Sequence, residues 1–229
     1  MRKRRATAPV VAAGLMAGAL VALPAAAATD VCIASHGVVE VQQGHASCQA
    51  SGGASRAQAE GAGSSASATG GDDNNAVANG ENSTAFAFNG SNNIAIAIDS
   101  SSTATAGNGD NNTATANGPS SNADASNGNH NTATADGPSS SAGAGGGDNN
   151  TATANGPSSS AGAGGGDHNT AIANGPSSSA GAGDGNHNTA TADGTSSGAD
   201  AGGGDQNTAT ATTDGCFAHA TGGGDTESC

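Results

Sequence analysis

Alanine recurs in this chain with a phase that nothing interrupts. Strings of the form x-Ala-x-Ala start at residues 56, 75, 94, 113, 132, 151, 170, 189 and 208. A second set starts at 65, 84, 103, 122, 141, 160, 179, 198 and 217. Each set steps by 19 residues, the two alternate at steps of 9 and 10, and all 36 column positions from Ala57 to Ala220 are alanine. Alternation with period two marks a β-strand with one buried face. Four-residue strands separated by five or six turn-forming residues, at a fixed period, predict a coil of strands. The expected fold class is all-β: a two-sided, flat parallel β-solenoid with 19-residue rungs, an alanine core and no helix in the mature chain. Each rung gives one strand to each of two facing sheets.

Composition excludes the ordinary alternatives. Beyond Ala28 there are five Ile, five Val and three Phe, with no Leu, Trp or Tyr. So few bulky side chains cannot fill a globular core or line an aromatic pocket. Serines fall in turn runs such as Ser139-Ser140-Ser141, and no carboxylate pair stands apart from the repeat. No enzyme activity and no cofactor are expected. Two sheets with only methyl groups between them can approach more closely than the usual ~10 Å, and the Ser-Ala-Gly-Ala-Gly strings at 141–145, 160–164 and 179–183 resemble silk for the same steric reason. Methyl burial by itself does not offset the entropy of ordering such a chain. Rung-to-rung hydrogen bonds, stiff turns and covalent caps have to supply the rest. Asn112, Asn131, Asn150, Asn169, Asn188 and Asn207 each precede a strand and predict an asparagine ladder. Asn-Gly or Asp-Gly closes strands at 117–118, 136–137, 155–156, 174–175 and 193–194, a pairing suited to positive φ. Pro119, Pro138, Pro157 and Pro176 stiffen the turns that follow.

The ends differ from the middle. Arg2, Lys3, Arg4 and Arg5, an apolar stretch from Val10 to Leu23 and the Ala26-Ala27-Ala28 site read as a signal peptide over residues 1–28, with Arg4-Arg5 compatible with a twin-arginine route. The division expected is 1–28 signal peptide, 29–55 N-terminal cap, 56–220 solenoid repeats and 221–229 C-terminal cap tail. The formal charge is −14. Cleavage would remove four of the five cations and none of the 19 acidic residues, leaving −18 with Arg56 as the one basic residue. Such a chain is not expected to bind nucleic acid, which needs cations, or to insert in a membrane after cleavage. It should be secreted, extracellular or cell-wall associated. Cys32, Cys48, Cys216 and Cys229 sit near the two ends, and four cysteines allow three connectivities. Because the caps lie where the period fails, the pairing within each end, Cys32–Cys48 and Cys216–Cys229, is expected of a rod. Val38 to Val41 and Ser47 to Ala50 are expected as irregular first strands.

The outward positions suggest sites. One face presents Thr113, Thr115, Thr132, Thr134, Thr151, Thr153, Thr170, Thr189, Thr191, Thr208 and Thr210, with Ile172 beside Thr170 and Ile94 and Ile96 before them. The opposite face presents serine and glycine at 141/143, 160/162 and 179/181, smooth enough for self-association. Asp148 and Asp167 belong to a turn column in which a hard cation could relieve repulsion between carboxylates. The run from Gly145 to Thr153 resembles the calcium-binding nonapeptide of the RTX proteins, but Asp148 replaces a glycine and Asn150 replaces the aspartate ligand. Weak or no calcium dependence is therefore expected. His130, His168 and His187 lie in the next turn column, where exposed turn residues are expected rather than ligands.

The threonine ranks over 113–211, with terminal cysteine pairs and a small-residue core, resemble the hyperactive ice-binding β-solenoids. That resemblance implies that the ranked threonines would form the ice-binding surface; the second face and the non-threonine rungs at 56–97 depart from it. The alanine-rich repeats are also similar to the heads of trimeric autotransporter adhesins, whose repeats are shorter. The leading functional expectation is a secreted, non-enzymatic structural or surface-interaction repeat protein. The alternative is an ice-binding protein that uses the Thr-x-Thr face.

Overall fold

The computed structural model describes residues 30–229, and each regular element among them is a β-strand. The expected signal peptide lies outside the described residues. The chain is a parallel β-solenoid whose rungs have the length that the repeat implies. The strands that open at 56, 75 and onward enter a 12-stranded sheet, and those that open at 65, 84 and onward enter a 10-stranded sheet. Neighbours one rung apart are parallel and in register: Ala133 lies beside Ala152 in the first sheet and Ala142 beside Ala161 in the second. The 36 column alanines form the core, none more than 4% exposed. Their methyls bring the two sheets together, and no bulky side chain holds them apart.

The N-terminal cap reverses direction. Strand β1 (Val31–Ser35) runs antiparallel to β4 (Arg56–Glu60), and β2 (Val38–Gln43) runs antiparallel to β1. The sequence did not point to β1, and the alternating parallel rule does not reach it. The cause is local. His36 and Gly37 join β1 to β2 with φ of 49° and 81°, and a two-residue turn with both φ positive permits only an antiparallel hairpin. Strand β3 (Ser47–Ala50) then opens the 10-stranded sheet, parallel to Ser65–Thr69. Cys32 aligns with Ala59 and Cys48 with Ala66, so both half-cystines occupy alanine columns. They are disulfide-bonded across the gap with Cα atoms 5.6 Å apart. The sheets at this end are thus far closer than the ~10 Å of ordinary stacked sheets.

At the other end Cys216 and Cys229 form the second disulfide, Cα–Cα 6.1 Å. Cys216 stands one rung after Ser197, in the column of buried serines that precedes the strands of the 10-stranded sheet from Ser65–Thr69 to Gly198–Gly202. Thr226–Ser228 (β22) pairs in parallel with Thr208–Ala211 (β20) and adds one more strand to the 12-stranded sheet.

The asparagine ladder is longer and deeper than its sequence signal. Asn74 and Asn93 extend it, so eight side chains from Asn74 to Asn207 stand one per rung, each at most 1% exposed. Their partners are backbone groups, not one another's amides. Asn150 Oδ1 accepts the Asn169 N–H at 2.9 Å, while Asn150 Nδ2 donates to Gly166 O at 2.8 Å. The ladder is closed at both ends: the Ser55 hydroxyl accepts from the Asn74 N–H, and Asn207 Oδ1 accepts from Gly223 and Asp225. The opposite corner carries serines such as Ser178, whose hydroxyl donates to Gly175 O at 2.7 Å.

The Asn-Gly and Asp-Gly pairs differ from expectation. Positive φ falls two residues later, at Ser120, Ser139, Ser158 and Ser177, with φ of 56° to 57°. Glycine is required at 118 for another reason: a Cβ there would lie 2.5 Å from Gly137 O on the next rung. Close stacking of turns, not backbone handedness, selects it.

Two substitutions test this account. Ala152→Leu should push the sheets apart and lower stability by about 1–3 kcal/mol or more. Asn150→Ala orphans the buried Asn169 N–H and removes a donor from the half-buried Gly166 carbonyl, so it should cost about 1–3 kcal/mol. Denaturant unfolding followed by far-ultraviolet circular dichroism checks both, with exposed Asn149→Gly as the control.

Candidate functional site

The 12-stranded sheet places the threonines in two straight ranks. Thr113, Thr132, Thr151, Thr170, Thr189 and Thr208 are successive register partners, as are Thr115, Thr134, Thr153, Ile172, Thr191 and Thr210. All are half-buried. Both ranks sit on the outward side because the alanines that alternate with them along each strand hold the inward side. Hydrogen-bonded ladders set the spacing at about 4.8 Å between rungs and about 6.7 Å along a strand. The β-branched side chains have few rotamers, so hydroxyls and methyls form a repeating, stiff pattern.

The structure adds residues that the period hid. Thr226 partners Thr208 and Ser228 partners Thr210, extending both ranks by one rung. The spacing from Thr208 to Thr226 is one short of the repeat, which removed Thr226 from the phase. At the other end Ile94 and Ile96 continue the ranks as register partners of Thr113 and Thr115.

The opposite face is a glycine floor. A Cβ built on Gly143 or Gly162 would meet nothing within 4 Å. The depression of about 250 Å³ over this floor is lined by Gly162, Gly181, Asp184 and Asp200 among others, and Asp124 borders its neighbour. Asp200 also faces His219, Nδ1 to Oδ2 3.1 Å. Phe86 and Phe217 stand toward the two ends of this face, 40% and 75% exposed.

The acidic turn column has a structural occupation. Asp148 Oδ1 accepts the Asn129 N–H at 2.7 Å, and Asp167 Oδ1 accepts the Asp148 N–H at 2.8 Å. Asn129 and Asn186 do the same with their amide oxygens. A second ladder thus runs outside the buried asparagines. His168 and His187 stack with ring centroids 4.8 Å apart. Among the described residues no group of three or more His, Cys, Asp or Glu gathers as a metal ion would need.

The stretch from Gly194 to Gly198 matches the Gly-x-Ser-x-Gly pattern of a nucleophile elbow. Its Ser196 belongs to a turn column instead, with φ of 54° and its N–H bonded to Pro176 O, as Ser177 bonds Pro157 O one rung earlier. The match is a product of the repeat.

No family model, curated protein or solved structure matches this chain.

Because asparagine fills the outer ladder as well as aspartate does, Asp148→Asn should change stability by no more than about 0.5 kcal/mol. Relief of repulsion toward Asp167 favours a small gain. Thermal melts of both forms should be insensitive to millimolar calcium; a calcium-dependent rise that Asp148→Asn removes would assign the column to the ion.

Proposed function

We propose that the protein is an exported, non-enzymatic surface-interaction rod whose threonine face is its working surface. The observation that carries this reading is the unbroken register of the first rank from Thr113 through Thr208 to Thr226. A partner matched to such a rank is itself flat and periodic, as an insoluble polymer or a crystal is. Small, mobile ligands would gain nothing from repetition over seven rungs. The two disulfides suit an oxidising compartment outside the cytosol, and the acidic balance of the chain disfavours anionic partners.

Ice is the second reading, favoured by the same rank. Methyls spaced at about 4.8 Å by about 6.7 Å could exclude liquid water while hydroxyls anchor an ordered layer, in the manner implied by the resemblance to ice-binding solenoids. The glycine face supports a structural role instead, as a surface on which copies associate.

One pair of variants separates these readings. Thr151→Lys and Ser160→Lys are both outward changes, which normally cost under ~0.5 kcal/mol. In co-sedimentation with insoluble wall material from the producing culture, the parent chain should bind, Thr151→Lys should lose binding and Ser160→Lys should keep it. Faceted ice crystals formed by the parent and lost only in Thr151→Lys would establish ice as the surface. A silent Thr151→Lys, with self-association blocked by Ser160→Lys, would overturn the threonine reading in favour of the structural one.

A further inference from the structure

The two ends of the 12-stranded sheet are built differently. At the C-terminal end, β22 has three residues, and its Glu227 aligns with Ala209. A carboxylate therefore stands in the alanine column, where an end-on stack of rods would have to bury it unpaired. Inward charge and a short edge strand are devices that keep sheet edges from pairing. At the N-terminal end, β2 pairs with β1 on one side, and no described strand lies on the other. All six of its residues are exposed. Val38, Val39 and Val41 are 61%, 50% and 43% exposed, three of the six exposed large hydrophobics among the described residues. The strand contains no proline or lysine, and its one charge, on Glu40, already accepts a hydrogen bond from the Ser35 hydroxyl.

We propose that β2 is a self-complementary docking edge on which a second copy of this chain pairs its own β2, antiparallel, about a two-fold axis. The pairing with β1 decides which face each residue occupies. Val38, Val41 and Gln43 lie on the face of Ser35, Ile33 and Val31, which continues the threonine face. Val39 and Gln42 lie on the face of Ala34 and Cys32, which continues the core. Glu40 falls where the register shifts. An axis between Glu40 and Val41 sets Val38 opposite Gln43 of the second copy and Val39 opposite its Gln42. Every such pair then shares a face, as cross-strand pairs must. Glu40 meets Val41 of the second copy instead of a second carboxylate.

The blocked C-terminal end makes this association closed: two chains, not a fibre. The axis stands perpendicular to the sheet, so the threonine faces of both rods lie on one side of a continuous sheet. A doubled face raises avidity for any extended surface without a new contact. The inference does not depend on which surface that is.

Sedimentation velocity of the oxidised protein from micromolar to millimolar concentration tests it. The mass should rise from one chain to two and stop, a small interface giving weak, reversible association. Val41→Glu faces Glu40 of the second copy with a like charge and should leave a single chain throughout. Val41→Lys faces the same Glu40 with an opposite charge and should still form two chains. Circular dichroism melts unchanged from the parent show that both variants fold. A parent that stays single at every concentration, growth beyond two chains, or equal association of Val41→Glu and Val41→Lys would each overturn the proposal.

Discussion

A buried asparagine on each rung from Asn74 to Asn207 links successive turns of this solenoid, and the rest of the structure depends on that link. From Asn74 to Asn188 each side chain accepts from the backbone N–H of the following asparagine. Through Asn169 each also donates to a glycine carbonyl of the following rung. In an ordinary domain, large side chains hold elements in place by filling volume. Here the column residues are alanines, so volume does little, and directional bonds in a dry corner take over. Such bonds are individually modest when made but costly to leave unmade. Register therefore propagates from rung to rung, because a slip would orphan every amide at once.

Once register is held from inside, the outward positions are released from any stabilising duty. The two faces have used that freedom differently. One repeats threonine, giving a stiff pattern of hydroxyl and methyl groups. The other falls to glycine over β-strands Ser141–Gly145, Ser160–Gly164 and Ser179–Gly183 and becomes a shallow floor between Asp124 and Asp200. The depressions of the glycine face are open, and the aspartates of the turn column are engaged with backbone N–H groups.

The ends carry what the repeat cannot. A coil of strands exposes pairing groups at each terminus. The C-terminal end answers with a three-residue strand, an inward glutamate and the Cys216–Cys229 bond. The N-terminal end ties the two sheets together through Cys32–Cys48, in the very columns that alanine fills elsewhere. It then leaves a valine-rich edge open.

Strand alternation, rung length, the alanine core and the threonine ranks were legible in the sequence, because they are periodic and the backbone repeats in step with them. Where period failed, sequence failed with it. Thr226 and Ser228 stand one residue out of phase, and only their pairing with Thr208 and Thr210 returned them to the face. The direction of β1 and β2 came from two positive-φ turn residues, a local signal that no repeat announces. The glycines at 118 and 137 looked like turn formers. Their cause is the carbonyl of the next rung, a neighbour one full repeat away in sequence and in contact only after folding. In the same way, the backbone N–H groups that bond to the turn-column aspartates lie one rung away and are brought to them only by the coil. Sequence alone determined which residues point inward, since alternation along a strand is a property of the single chain. Tertiary structure decided what the ladder asparagines and the turn-column aspartates bond to, since the backbone N–H groups they accept belong to a neighbouring rung.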